Sequence, residues 1–240
     1  MKQVAARLVG LVALLAVALP AQSAGFIGID DFGAAGGVVE LVASDPVGSS
    51  ASAVFNCAPT CVGDFRAMTV RKEAETVDGV GGVAARVAGG DFNFSVDNDV
   101  TGSFVIRWDG SNDVGFDSFD LAADLSSVAA FVAAVDSDLP GEVTVRIYSD
   151  ADNWAELSRS WGVLRFVGDL AFPVAAFGGG EGTVDWSSIG AVEVTGRGTR
   201  IDYDLEFRIT RIPEPAGLAL LGFGLVGLGL ARRRRRALFA

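Results

Sequence analysis

Residues 201–210 read Ile-Asp-Tyr-Asp-Leu-Glu-Phe-Arg-Ile-Thr, with an apolar side chain at every second position. Successive side chains of an extended strand point to opposite faces, so this pattern predicts an antiparallel strand with one buried face and one wet face. The same alternation predicts strands at residues 92–96, 104–108 and 143–147. Further strands are expected near residues 65–70, 128–135, 154–166 and 191–195.

Turn signals separate these segments, for example Gly89-Gly90-Asp91, Asp109-Gly110 and Leu139-Pro140-Gly141. Short strands at regular spacing with Gly-rich turns are typical of a β-sandwich. We therefore predict an all-β fold, a β-sandwich of the jelly-roll type. For the Ala-rich residues 120–134 the alternative prediction is a helix.

The composition excludes several kinds of function. The chain has 240 residues, 19 Lys and Arg, 30 Asp and Glu, and no His. Without His there is no Ser-His-Asp triad and no His-ligated zinc. A formal net charge of −11 argues against nucleic acid as a partner, because phosphate binding needs a basic surface.

The N-terminus predicts a secretory signal peptide over residues 1–23. Lys2 and Arg7 precede the uncharged apolar residues 8–19, and the small residues Ala21 and Ser23 suit a cleavage site after Ser23. The alternative is an N-terminal membrane anchor. Twelve apolar residues span only about 18 Å as a helix, which is too short for a bilayer core.

The C-terminus has a second apolar segment followed by a basic cluster. Pro213-Glu214-Pro215 precedes the uncharged residues 216–231, which predict a transmembrane helix of roughly 24 Å. The chain then carries five consecutive basic residues, Arg232, Arg233, Arg234, Arg235 and Arg236. Such a cluster stops transfer and keeps its own side in the cytoplasm, which agrees with export of the preceding chain.

This combination resembles the PEP-CTERM sorting signal of Gram-negative bacteria. The resemblance implies that exosortase, an integral-membrane cysteine transpeptidase-like enzyme, cleaves the chain near Pro213-Glu214-Pro215. It also implies transient anchoring in the inner membrane, transfer to the cell surface or matrix, and an association with exopolysaccharide and biofilm. A plain single-span membrane protein is the alternative. The chain thus divides into a signal peptide (1–23), a β-sandwich (24–212) and a sorting signal (213–240).

A second resemblance concerns the start of the predicted sandwich. Ile29-Asp30-Asp31-Phe32 is similar to the openings of galactose-binding-like jelly rolls. It implies the fold and carries no ligand residues with it.

The two cysteines, Cys57 and Cys61, enclose only three residues. Export to an oxidising compartment favours a disulfide, and a redox role more often uses a Cys-x-x-Cys spacing. We predict a structural disulfide that stabilises one turn.

Acidic turns are candidates for calcium binding. Asp97, Asp99, Asp109 and Asp113 offer oxygen ligands in Gly- and Asn-containing turns. An EF-hand is excluded, because the twelfth position counted from Asp97 is Trp108 and not an acid. The alternative is that these side chains bond their own backbone in Asx-turns. Calcium is the only cofactor that the sequence points to.

Three functions remain for the exported domain. The first is a non-enzymatic protein of the envelope or matrix, with exosortase and exopolysaccharide as partners. The second is a carbohydrate-binding module, in which Trp108, Trp154, Trp161 or Trp186 would stack on sugar rings. The third is a carboxylate glycosidase, although Glu40, Glu142, Glu156, Glu181 and Glu193 lie in no catalytic motif. We predict the first function and no enzymatic activity.

Overall fold

The computed structural model describes residues 27–33, 36–77, 80–198 and 203–213, which lie in one compact unit, Phe26–Pro213. The predicted signal peptide and the sorting signal beyond Pro213 lie outside the described residues. Among the residues that are described, no helix has the length and apolar character needed to cross a membrane.

The described chain consists of β-strands joined by turns and loops, with one short 3₁₀ helix at Val174–Ala176 and no α-helix. The strands are β1 (Ile27–Asp30), β2 (Val38–Leu41), β3 (Ser50–Asn56), β4 (Phe65–Glu75), β5 (Val83–Ala88), β6 (Asp91–Val96), β7 (Val100–Trp108), β8 (Val128–Ser137), β9 (Gly141–Tyr148), β10 (Trp154–Trp161), β11 (Phe166–Pro173), β12 (Ala191–Gly198) and β13 (Tyr203–Pro213).

These strands form two antiparallel sheets. Sheet A has the order β11-β8-β13-β6-β5-β2, and β1 pairs with the end of β13. Sheet B has the order β10-β9-β12-β7-β4-β3. Neighbours in each sheet are mostly distant in sequence, as expected when a chain crosses repeatedly between two layers. The all-β, jelly-roll prediction is confirmed.

The core lies between the sheets and is rich in aromatic side chains. Phe104 of β7 packs against Phe92 and Phe94 of β6, with ring centroids 4.9 Å apart in both pairs. Gly196 of β12 makes room for Phe104, because a Cβ at that position would overlap the ring. In β5, β6 and β9 the inward-facing residues are buried and their neighbours are more exposed, which is the origin of the sequence alternation.

The structure differs from the predicted elements in two segments. The second half of the Ala-rich residues 120–134 belongs to β8 (Val128–Ser137), so the helix alternative is wrong: these residues pair with β11 on one side and β13 on the other. Residues 154–166 are divided by a turn, in which Arg165 has a positive φ of 55°, so that β10 and β11 belong to different sheets.

Candidate functional site

A buried ion pair joins the two sheets near the disulfide. Asp30 ends β1, and its Oδ2 accepts hydrogen bonds from Arg66 Nη1 at 2.6 Å and from Trp108 Nε1 at 2.9 Å. Its Oδ1 accepts from the backbone N–H of Phe32 at 2.7 Å. Asp30 is 1% exposed and Arg66 and Trp108 are 0% exposed, so this cluster holds β1 against sheet B and has no access to solvent.

The guanidinium of Arg66 is only partly satisfied by this cluster. Its Nε and Nη2 have no hydrogen-bond partner among the described residues, and the group lies over the ring of Phe32, 5.1 Å from the centroid. Asp30 therefore supplies the negative charge that makes burial of this cation tolerable.

Cys57 and Cys61 form a disulfide with Cα atoms 5.5 Å apart, in the turn between β3 and β4. Cys61 also forms a β-bridge with Asp30, so the disulfide lies beside the buried ion pair. Although Asp30 and the two sulfurs are close together, they do not make a metal site, because disulfide sulfurs cannot act as thiolate ligands.

Two of the predicted calcium ligands lie at the start of β7. The carboxylate of Asp97 accepts the N–H of Gly82 at 2.8 Å. Asp99 has a positive φ of 66° in the turn between β6 and β7, and its carbonyl accepts the N–H of Thr76 at 2.8 Å. These are bonds that stabilise turns.

The other two predicted ligands lie beyond the far end of β7. Asp109 is buried beside Arg107, with Oδ2 3.1 Å from Nε, and Asp113 accepts the N–H of Gly115 at 2.9 Å. Since β7 has nine residues, roughly 30 Å of strand separates the two pairs, and the structure does not bring the four acids together. Calcium binding at either turn stays a prediction.

The outer face of sheet B carries a row of alternating charges on four adjacent strands: Glu156, Arg146, Glu193 and Arg107. Arg146 Nη2 lies 2.6 Å from Glu156 Oε2, and its Nη1 lies 3.5 Å from Glu193 Oε1. Arg107 Nη1 lies 3.4 Å from Glu193 Oε2. Two of the acids thus flank the same guanidinium, which is not the pair of opposed, independent carboxylates that a glycosidase uses.

In this row of charges, burial and the neighbouring polar groups shift the pKa values in opposite directions. Burial raises the pKa of Glu193, and the nearby charges of Arg146 and Arg107 oppose that shift without cancelling it. Burial disfavours the charge of Arg146, but hydrogen bonds to Tyr148 and Glu156 outweigh it, so the pKa of Arg146 is raised. Arg146 therefore stays cationic and serves as the common partner of both acids.

Aromatic rings enclose the arginines of this row. The guanidinium of Arg107 lies 4.8 Å from the ring centroid of Phe119 and 4.9 Å from that of Tyr148. It also donates to the carbonyl of Ser118 at 2.8 Å, so the loop after β7 covers it. Arg107 is 2% exposed and is not available to a ligand.

The four tryptophans that the carbohydrate-binding alternative would use for stacking on sugars are engaged in packing. Trp108 and Trp161 are buried, and Trp161 Nε1 donates to the carbonyl of Leu139 at 2.7 Å. Trp154 has Arg146 4.6 Å from its ring centroid and Gly180 close to its ring. Trp186 lies edge-on to Phe177 at 5.7 Å. Sugar stacking on these rings gains no support from the geometry.

A groove of about 630 Å³ runs over the outer face of sheet A. Its floor and walls come from β2, β5 and β6, where the residues pair directly across the strands. It is lined by Val38, Glu40, Ala84, Arg86, Ala88, Asn93 and Ser95. Small side chains on β5 and β6 create the hollow, and longer polar side chains surround it.

The polar side chains of this groove differ from those of the charged row in having no partners. The side chains of Glu40, Arg86, Asn93 and Ser95 make no hydrogen bond or ion pair within the described part of the chain. Together they offer guanidinium and amide donors, a carboxylate acceptor and a hydroxyl, a set that suits a ligand with several hydroxyl groups. Of these residues only Glu40 was a candidate from the sequence. The groove itself could not be expected, because β2 and β5 were not predicted as strands beside β6.

Comparison with known proteins gives one match to a family model. Residues 211–236 match the PEP-CTERM protein-sorting motif, a span that contains Pro213-Glu214-Pro215 and all five arginines of the C-terminal cluster. No curated protein sequence matches the chain.

Several solved structures are similar to this chain at low identity. The family 11 carbohydrate-binding module of a cellulosomal cellulase of Clostridium thermocellum shares 10% identity at a TM-score of 0.39, over 80% of this chain and 96% of that chain. A family 29 carbohydrate-binding module solved with mannohexaose shares 11% identity at a TM-score of 0.33, over 68% of this chain and 92% of that chain.

An agarase structure shares 11% identity at a TM-score of 0.35, over 60% of this chain and 22% of that chain. At these values the likeness extends to the general fold and no further. The sequence match is the more specific finding: the chain carries a PEP-CTERM sorting motif, which indicates an exported protein of Gram-negative bacteria with a C-terminal sorting signal.

Proposed function

We propose that this protein is a non-enzymatic component of the cell envelope or extracellular matrix, delivered to the cell exterior after exosortase cleaves its C-terminus. The sorting motif at residues 211–236 carries the proposal. The transient anchor would be the apolar residues 216–231, and the partners would be exosortase and exopolysaccharide.

The chemistry of the sandwich supports a structural role. The buried charges that the structure describes are engaged in holding strands together: Asp30 with Arg66, Asp109 with Arg107, and Lys72 with Glu75. The acidic balance of the exported part also favours solubility, because seven of the 19 basic residues lie in residues 1–23 and 216–240 and none of the 30 acidic residues does.

Substitution of Glu214 by Ala tests the processing. We expect the variant to insert in the membrane normally, since the apolar segment and the Arg cluster are unchanged, but to resist cleavage and accumulate as a longer, membrane-bound form. Intact-mass measurement and fractionation in an exosortase-containing host would detect this.

The matched control is Glu181→Ala, which makes the same mass change at an exposed position of the sandwich and should be processed like the wild type. If the C-terminal apolar segment were a permanent anchor, the wild type, Glu214→Ala and Glu181→Ala would all fractionate with the membrane. Mature wild-type chain that still ends in Leu238-Phe239-Ala240 would contradict the proposal.

A second candidate function is binding of a polysaccharide in the groove of sheet A. The favouring observation is the set of unpartnered polar side chains that line it, Glu40, Arg86, Asn93 and Ser95. Since no aromatic ring is among the lining residues, hydrogen bonds would provide the recognition, with Arg86 as the strongest donor. The ligand would be the matrix polysaccharide itself.

Arg86→Ala should then weaken binding of soluble β-linked glucan, galactan or mannan by roughly 10- to 100-fold, the effect of losing hydrogen bonds from a charged group. Affinity electrophoresis and titration calorimetry would measure the change. Arg71→Ala, an exposed arginine on a strand of sheet B, is the control and should bind like the wild type. Equal binding by the two variants would remove the groove from consideration.

A further inference from the structure

The sorting motif and the last strand overlap in sequence. The motif begins at Arg211, whereas β13 continues to Pro213, so three residues belong to both. Those residues include the first proline of Pro213-Glu214-Pro215. The overlap leaves no linker between the folded sandwich and the motif that is expected to be cut.

β13 is an interior strand of sheet A, and its two backbone edges are both occupied near its end. On one side Arg211, Ile212 and Pro213 pair with Phe131, Ala130 and Val128 of β8. On the other side Arg211 and Thr210 pair with Ile27 and Gly28 of β1. Arg211 therefore lies between two paired strands, β8 on one side and β1 on the other.

Cleavage of a peptide bond requires a segment that is not paired with neighbouring strands. In such a reaction the enzyme's nucleophile takes the acyl group, which passes to water or to an acceptor amine, and the departing tail takes a proton on its new amino group. The residues beside the bond must be extended and free, because enzymes commonly hold them by adding them as a strand to their own sheet edge. A strand paired on both sides has no free edge to offer.

We infer that the folded sandwich sets the upstream limit of processing: Arg211, Ile212 and Pro213 are retained on the mature chain, because β8 pairs with all three and β1 pairs with Arg211 on the opposite side, as a strap that withholds the start of the motif from exosortase. This inference rests on the proposed processing. It assigns the cut to a bond after Pro213.

The position of β1 explains how the strap is held. β1 begins four residues after the predicted signal-peptide cleavage at Ser23, and its last residue is Asp30, whose carboxylate is fixed by Arg66 and Trp108 of sheet B. The N-terminal strand of the exported chain thus pairs with the end of β13, while its own last residue is bound to sheet B. Release of the motif residues requires that this pairing open.

Two variants and one direct measurement test the inference. The direct measurement is the C-terminal peptide of the mature wild-type protein, identified by mass spectrometry, which should contain Pro213. A six-residue Gly-Ser insertion between Thr210 and Arg211 keeps the whole motif but moves it out of the sheet. Gly28→Pro removes a backbone donor from β1 opposite Thr210.

Both variants should be processed faster than the wild type in pulse-chase, by at least about fivefold, because the segment no longer waits for local opening. The same insertion between Gly178 and Gly179, in an exposed loop, should leave the rate unchanged. Circular dichroism of each processed product checks that the sandwich has folded, and if Gly28→Pro fails this check the insertion variant decides.

Wild-type chain cut before Pro213, or equal rates for the wild type and the folded insertion variant, would overturn the inference and leave the proposed processing intact. Absence of any cleavage in the wild type would overturn both. The two failures are therefore distinguishable in one experiment.

Discussion

Asp30→Ala is expected to lower the free energy of unfolding by about 3–5 kcal/mol, the usual cost of removing one partner from a buried ion pair. Arg66 would be left buried without its carboxylate partner, since it is 0% exposed and its guanidinium makes no other hydrogen bond among the described residues. Trp108 Nε1 would lose its acceptor as well. For a domain of this size the melting temperature should fall by roughly 10 °C.

Urea denaturation of the processed domain, followed by circular dichroism, measures the effect. The control is Asp31→Ala, since the neighbouring carboxylate is exposed and its Oδ1 accepts only the N–H of Gly33 at 2.8 Å. That change should cost about 1 kcal/mol or less. In the double variant Asp30→Ala, Arg66→Met part of the loss should return, because no unpaired charge remains. Equal losses for the Asp30 and Asp31 variants would contradict the buried ion pair.

Lys72→Met is expected to lower the free energy of unfolding by about 3 kcal/mol and to weaken the attachment of two loops. Lys72 is 0% exposed, and its Nζ lies 3.0 Å from Glu75 Oε1 while donating to the carbonyls of Ala43 at 3.3 Å and Asp45 at 3.1 Å. Glu75 Oε1 in turn accepts the N–H groups of Val80 and Gly81. Without the ammonium, a nearly buried carboxylate and two carbonyls lose their shared donor.

Limited proteolysis combined with urea denaturation would show the two effects together, as faster cleavage within residues 42–49 and a lower denaturation midpoint. Arg71→Met is the matched control, because the preceding residue on β4 is exposed and points to the opposite face. It should change stability by less than about 0.5 kcal/mol. Resistance of the Lys72 variant to proteolysis would show that the loops do not depend on the ammonium.

Strands with strong alternation were predictable because their pattern is local. β6, β7, β9 and the long β13 alternate large apolar residues with polar ones, and each was expected within a few residues of its observed bounds. β3 reads Ser-Ala-Ser-Ala-Val-Phe-Asn, and β5 is half alanine. Small side chains give little contrast between the two faces, so these strands were missed, and the groove that β5 helps to form was missed with them.

The sorting motif, the all-β class and the strands with one wet face could be recognised in the sequence, since each depends on neighbours within a few residues. Which side chains contact one another depends on how the strands are arranged in the folded domain. Asp30 contacts Arg66 and Trp108 across 36 and 78 residues of sequence, and the partner of Arg211 on one side is Ile27, near the other end of the chain. Sheet order and register create such contacts, and alternation of period two carries no information about either, because every strand with a buried face shows the same pattern.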